Sequence, residues 1–222
     1  MILTSMSNNS GHTGQNKIDI VFGLPKHPFS YDYLISRLRE YRSPRDKISL
    51  MIKRGEIIRI KKGLYVLSPR YGGIIDKRII ANLIYGPSYI SLEYALGYWG
   101  LIPEKVVEVT SVTNKRNKYF DTPLGRFSYR YLNNRRFQFG FRYVEGEGGA
   151  FLVALKEKAI CDKIFVEGNL GKFEIESYLE KNLRIDIKEI LSLDIELVEE
   201  ISRRYRNKSV SAFYCWLKMR SK

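Results

Sequence analysis

Between Phe29 and Leu67 the chain spells two short helices and a tight hairpin in close succession, and that order leaves few folds open. Tyr31, Leu34, Ile35 and Leu38 recur at the spacing of an amphipathic helix, with Ser30 placed to cap it. Ser43-Pro44 supplies the next start, a cap residue followed by proline at the first helical position, where the missing N–H is no loss. Asp46 in the first turn suits the positive end of the helix dipole, and Gly55 just beyond Arg54 is a natural stop. Ile48, Met51 and Ile52 form the inner stripe of this helix. Asp46, Ser49, Leu50 and Lys53 fall opposite, flanked by Arg45, Lys47 and Arg54. Residues 56–60 then predict a strand and residues 64–67 its return. Lys61-Lys62-Gly63 is the turn, because glycine enters positive φ without steric penalty. Many small domains share a helical pair and a hairpin, but a basic outer helix face and a basic turn narrow the choice to a winged helix-turn-helix. In that fold the second helix enters the major groove of duplex DNA and the hairpin reaches the backbone. The reading assigns Lys47, Ser49, Lys53 and Arg54 to the groove with Arg45 beside them, and Arg59, Lys61 and Lys62 to phosphates.

The distribution of charge agrees. The formal charge of +14 is not spread evenly along the 222 residues. Residues 26–70 hold 12 Lys/Arg against 4 Asp/Glu, and residues 114–142 hold 8 against 1, while the rest of the chain is close to balance. Two basic surfaces and a polyanionic partner follow more naturally from this than a general solubilising charge. The two cysteines, Cys161 and Cys215, stand far apart, which argues against a disulfide scaffold or a cysteine-built zinc site and fits a reducing cytoplasm. No apolar run approaches the ~20 residues of a membrane span. The first residues lack the pattern of a signal peptide; residues 1–16 are expected to be a flexible polar tail in which Met6 is an alternative start.

At Tyr71-Gly72-Gly73 the character of the chain changes, so residues 17–72 are expected to form the winged helix-turn-helix and residues 73–222 a larger α+β domain. Ile79, Ile80, Leu83 and Ile84 predict a helix ended by Gly86-Pro87, Ser91 caps another over residues 92–99, and residues 105–113 read as a β-branched strand. Phe127, Tyr129 and Tyr131 alternate with Arg126, Ser128 and Arg130. After Asn133-Asn134, Phe137, Phe139, Phe141 and Tyr143 alternate with Arg136, Gln138, Gly140 and Arg142. Two such runs predict a hairpin with an aromatic face inward and an arginine face outward. Arg126, Arg130, Arg136 and Arg142 would then either track DNA phosphates or sit among local counterions. From Leu155 the pattern is helical to the end. The fold class expected is α+β, with a small, mainly antiparallel sheet and a helical C-terminus.

Catalytic machinery is scarce. His12 and His27 have no ligand or triad partner at useful spacing, and there is no P-loop, HExxH or GxGxxG; Gly146-Glu147-Gly148-Gly149 reads as a loop. The triplet Asp186-Ile187-Lys188 lacks the partner acid of a metal-dependent nuclease. No catalytic residue, metal or cofactor is therefore expected. Glu157, Lys158 and Asp162 share one helix, where the i, i+4 spacing of Lys158 and Asp162 predicts an ion pair on a solvated face. The alternative is a polar cluster that fixes the helix against the sheet or a partner.

Several segments together resemble a known family. They include Ser43-Pro44-Arg45-Asp46-Lys47-Ile48, Ile52-Lys53-Arg54-Gly55-Glu56, Lys62-Gly63-Leu64-Tyr65-Val66, Tyr89-Ile90-Ser91-Leu92-Glu93-Tyr94-Ala95-Leu96, Thr122-Pro123-Leu124-Gly125 and Glu157-Lys158-Ala159-Ile160-Cys161-Asp162. In this order, across roughly residues 26–166, they resemble the AbiEi-type antitoxins and transcriptional regulators of bacterial type IV toxin-antitoxin systems. The resemblance implies a cytoplasmic, non-enzymatic protein whose winged helix represses its own operon by binding double-stranded operator DNA. It also implies a C-terminal domain that neutralises a nucleotidyltransferase-like toxin without a stable complex, and a shared role for Glu157, Lys158 and Asp162. Residues alone leave two rivals: a stand-alone winged-helix regulator with a ligand-sensing or dimerising domain, and a nucleic-acid-processing enzyme.

Overall fold

The computed structural model describes residues 20–221; the polar tail, His12 and residues 17–19 lie outside them. The chain divides into two compact units, Met1–Ile74 and Ile75–Lys222.

In the first unit a helical turn over residues 20–22 leads to a two-residue strand, β1 (Phe29–Ser30), and then to helices α1 (Tyr31–Arg37) and α2 (Pro44–Lys53). Strands β2 (Ile57–Lys61) and β3 (Leu64–Leu67) follow as a hairpin turned at Lys62-Gly63, where Gly63 takes φ +88°. β3 lies between β1 and β2 in a three-stranded antiparallel sheet, and the β2–β3 register slips between Arg59 and Lys61. Ser30 caps α1 by accepting from the Tyr33 amide, as its sequence position requires. Ser43 makes no such cap bond to α2; its hydroxyl donates to Asp46 instead. Leu34, Leu38, Ile48, Met51, Ile57, Tyr65 and Leu67 close the core, so the inner stripes of both helices pack on the sheet as their spacing demands.

The second unit is α+β. Helix α3 (Lys77–Ile84) precedes β4 (Ser88–Ile90) and α4 (Leu92–Tyr98), followed by β5 (Val109–Thr113), β6 (Lys118–Thr122) and β7 (Gly125–Tyr131). A single helical turn, α5 (Asn134–Phe137), leads to β8 (Phe141–Gly146) and β9 (Gly149–Ala154). Helix α6 (Lys156–Glu167) opens the helical C-terminus. The short α7 (Ile175–Ser177) runs on into a π turn at Tyr178–Asn182, and α8 (Ile187–Leu191), α9 (Ile195–Tyr205) and α10 (Lys208–Arg220) complete it. The strands form one sheet in the order β6-β7-β5-β4-β9-β8. Three pairings are antiparallel; β4–β9 and β5–β7 are parallel, so the sheet is mixed. Helix α3 covers one face, where the Tyr129 hydroxyl donates to the Ala81 carbonyl at 2.6 Å. Helices α4 and α6 cover the other, where Thr110 bonds the backbone of Ser91 and Tyr94.

The expected hairpin across Asn133-Asn134 does not form. β7 pairs with β5 and β6, whereas β8 pairs with β9 through the Glu147-Gly148 turn. Asn133 is the cause: its side chain accepts from the Arg136 amide and caps α5, which turns the chain away from β7. Aromatic alternation therefore runs across a strand, a helical turn and another strand, and does not mark a single face. Phe127, Tyr129 and Phe137 are buried, but Tyr143 is 74% exposed.

Candidate nucleic-acid interface and a buried polar cluster

Helix α2 carries the first basic surface. Arg45, Ser49 and Lys53 are all exposed, and spacings of four residues place them on one stripe, with the Ser49 hydroxyl turned back to the Arg45 carbonyl at 3.1 Å. Arg54, the C-cap, is exposed beside Glu56 at 3.9 Å, a spacing that screens easily. Arg59 is exposed on β2 and Lys62 on the turn, while Lys61 is half-buried at the bulge. Lys47 departs from the expectation: it is 8% exposed, and its ammonium lies 5.4 Å from the centre of the Tyr41 ring. Lys47 stands two residues from both Arg45 and Ser49, about 200° round the helix from each, on the inner side, so it spreads its stem over an aromatic ring and does not point outward. Pro44, Arg42 and Arg45 border a cavity of about 370 Å³ with Tyr31 and Ile35, at the junction of α1 and α2.

The arginines of the second basic segment do not share a face. Arg126 and Arg130 stand on β7. Arg126 is held by Asp121 on β6, with Nε 2.7 Å from Oδ1. Arg136, on α5, donates from Nε to the Tyr205 carbonyl at 2.9 Å and lies 4.5 Å from the Phe165 ring centre, joining α5 to α9 and α6. Arg142, on β8, covers the Trp99 ring at 4.8 Å. Only Arg126 and Arg130 share a face, four residues apart on β7 with Ser128 between them.

A polar cluster sits inside the second unit. Lys158 and Asp162 form the i, i+4 ion pair that their spacing predicts, at 2.6 Å, but they are 1% and 0% exposed, which overturns the solvated face. Asp162 also accepts from Ser91 at 2.6 Å and Tyr89 at 3.1 Å, and Tyr205 donates to it while accepting from Lys158. Four elements (β4, α4's cap residue, α6 and α9) thus meet at one carboxylate. Burial pushes the Lys158 ammonium down from its ordinary value against the pull of Asp162, and drives the phenols of Tyr89 and Tyr205 well up, keeping both as proton donors. Gly140, at φ +81°, lets the backbone lie on the Lys158 stem: a Cβ there would stand 3.0 Å from it. Glu157 is separate, accepting from the Asp194 amide at the start of α9. Ser91 has the sequence of a helix cap, yet its hydroxyl makes no cap bond and serves Asp162. Nothing in the linear sequence links Tyr89 or Tyr205 to α6. The cluster is closed to substrate and every polar group in it has a partner, the signature of a structural tie.

Among the described residues no three His, Cys, Asp or Glu side chains gather as a metal site. No helix among them is long and apolar enough to cross a membrane. Buried Cys161 has its thiol pushed up by desolvation, which disfavours the thiolate. No protein-family model matches the chain, and a search of the curated proteins finds no match either.

Proposed function

We infer that the first unit is a winged helix-turn-helix and that the chain is a DNA-binding autorepressor and antitoxin of the type IV class. The observation that carries the DNA-binding reading is the exposed stripe Arg45–Ser49–Lys53 on α2, beside a hairpin that presents Arg59 and Lys62. The order of elements supports it: a helical turn, a short strand, two helices and a hairpin, with the short strand paired to the hairpin's second strand. In this reading α2 enters the major groove, Ser49 and Lys53 meet base edges, and Arg45, Arg59 and Lys62 hold phosphates. Lys47 packs inside the unit and is not assigned to DNA. The antitoxin half rests on the resemblance of the sequence segments, and assigns neutralisation of a nucleotidyltransferase-like toxin to the second unit.

Two measurements test the two halves. Binding-site selection from random duplexes should return a consensus with the full chain. The Ser49→Ala/Lys53→Ala variant should relax it at particular base pairs, with binding weaker by ~1–3 kcal/mol for each base no longer read. An unchanged consensus removes α2 as the reading element. For the antitoxin half, growth is scored with the toxin under an independent promoter, so that repression cannot mimic neutralisation. Lack of rescue by the soluble full chain rejects it and leaves a stand-alone regulator.

A further inference from the structure

One half of the sheet in the second unit is left uncovered on the face that α4 and α6 share. Arg126, Ser128 and Arg130 alternate on β7 with Phe127 and Tyr129, which are buried on the other face against Phe120 and Tyr85. Opposite Ser128 stand Tyr119 on β6 and Thr110 on β5, so the same face carries Tyr119 at its outer edge. Where the helices end, two cavities of about 430 and 500 Å³ open side by side, and both are walled by Glu108, Ser128 and Arg130. They form one trough along the open sheet face, with Lys163 and Glu167 of α6 at its inner end and Tyr119 and Arg126 at its outer end.

The chemistry of the outer end is specific. Tyr119 is 64% exposed, and its ring lies under the Arg126 guanidinium at 5.2 Å. Asp121 holds Arg126 from one side through Nε and one terminal nitrogen, which fixes the guanidinium and uses only two of its N–H donors. Arg130 is exposed and has no ion pair among the described residues. Asn117, whose Oδ1 is taken by the Tyr131 amide, keeps its NH₂ as a donor. A fixed aromatic plane, two guanidinium groups and an amide donor are the parts that seat a stacked base and its phosphate. Glu108 in the wall between the cavities adds a carboxylate acceptor, which suits a ribose hydroxyl and penalises a bare phosphate at that position.

We propose that this trough binds a ribonucleotide unit, with its base on Tyr119, its phosphate on Arg126 and Arg130, and its ribose hydroxyl on Glu108. The unit comes either from a single-stranded RNA or from a free nucleotide, since both present the same base, ribose and phosphate. The site lies within the second unit and is independent of the α2 surface assigned to duplex DNA.

The test uses the full chain carrying Arg45→Ala, Arg59→Ala and Lys62→Ala, which removes the phosphate contacts assigned to the first unit. A short labelled RNA strand of mixed sequence, its DNA counterpart and ATP as competitor are titrated by fluorescence anisotropy. RNA should bind more tightly than DNA. Tyr119→Ala should weaken RNA binding about 5- to 150-fold, the loss of one stacked base. Arg130→Gln should lower the salt slope by roughly 0.7, one phosphate contact on a single strand. Glu108→Gln should reduce the preference for RNA over DNA. All three side chains lie at the surface of the trough, so thermal melting should be unchanged and a loss of binding cannot be charged to unfolding. Displacement by ATP identifies the occupant as a free nucleotide; RNA that ATP cannot displace identifies it as a strand, and either result supports the proposal. No RNA or ATP binding, equal affinity for RNA and DNA, or affinity that ignores Tyr119→Ala and Arg130→Gln overturns it.

Discussion

Lys53 on α2 and Lys158 on α6 are both lysines on helices, yet one is exposed and the other is among the most buried side chains of its unit. Around Lys53 lie Ser49 and Arg54 and no carboxylate of its own helix turn; around Lys158 lie Asp162, two tyrosine hydroxyls and the backbone of Gly140. The difference is one of supply. A charge goes inside only when the fold brings it enough hydrogen-bond partners; in the first unit Arg45, Lys53, Arg54, Arg59 and Lys62 stay outward, and Lys47 is buried only by lying over an aromatic ring. One region leaves cations open to solvent, the other uses one to tie four elements together.

The largest effect should come from breaking the tie from one side. Asp162→Asn or Lys158→Met leaves a buried charge or phenol pair short of its partner, and each should lower the stability of the second unit by ~3–5 kcal/mol. Urea unfolding followed by tryptophan fluorescence reads this unit alone, because the two tryptophans, Trp99 and Trp216, both lie in it. Lys158→Met/Asp162→Asn, which removes both charges, should lose less than the two single losses combined. Strict additivity would show that Lys158 and Asp162 do not act as a pair.

A smaller effect separates arginines left open to solvent from arginines that pack. Arg136→Ala deletes a hydrogen bond to the Tyr205 carbonyl and the packing on Phe165, and should destabilise the second unit by about 2 kcal/mol. Its affinity for duplex DNA should match that of the parent chain in the same salt titration. A change in salt slope with intact stability would place Arg136 back among the phosphate contacts.

How far these roles are legible in the sequence depends on the range of the interaction. The helices and hairpin of the first unit rest on local signals (Ser30, Ser43-Pro44, Gly55, Gly63), and those elements form where the signals stand. Lys47 escaped because its partner, Tyr41, lies before the helix and no wheel of α2 contains it. The false hairpin shows a different limit. Alternation of period two is compatible with any chain segment until the capping preference of Asn133 is weighed, and here the cap prevailed. The parallel pairings of β4 with β9 and β5 with β7 join segments too distant for any local signal. In the cluster, the Lys158–Asp162 pair is visible as an i, i+4 spacing, but its burial depends on Tyr89, Ser91 and Tyr205, which only the fold assembles.

A still smaller, pH-dependent effect belongs to the start of α3. Asp76 caps this helix and holds Arg78 through two bonds of 2.9 and 2.7 Å. Burial raises the carboxyl, but the bonds and charge of Arg78 outweigh it and leave Asp76 below the ordinary carboxylate range. A depressed folded-state value means that the stabilisation is present above the ordinary range and fades as acid takes the pH down through the folded value. Asp76→Asn should therefore flatten the acid limb of the second unit's stability and leave the neutral limb parallel to that of the parent. An acid limb of unchanged steepness would assign that pH dependence to other carboxylates.

The central claim, that the first unit's outward cations meet duplex DNA, is most directly tested by the salt dependence of binding. Fluorescence anisotropy with a duplex carrying the selected consensus should give a linear fall of log affinity with log salt. Replacing Arg45, Arg59 and Lys62 by alanine should reduce the slope by roughly 0.9 for each phosphate no longer neutralised, while Lys47→Ala should leave it unchanged. A slope that ignores the triple replacement, or one that Lys47→Ala shifts as much as Lys62→Ala does, would contradict the assignment of this surface to DNA.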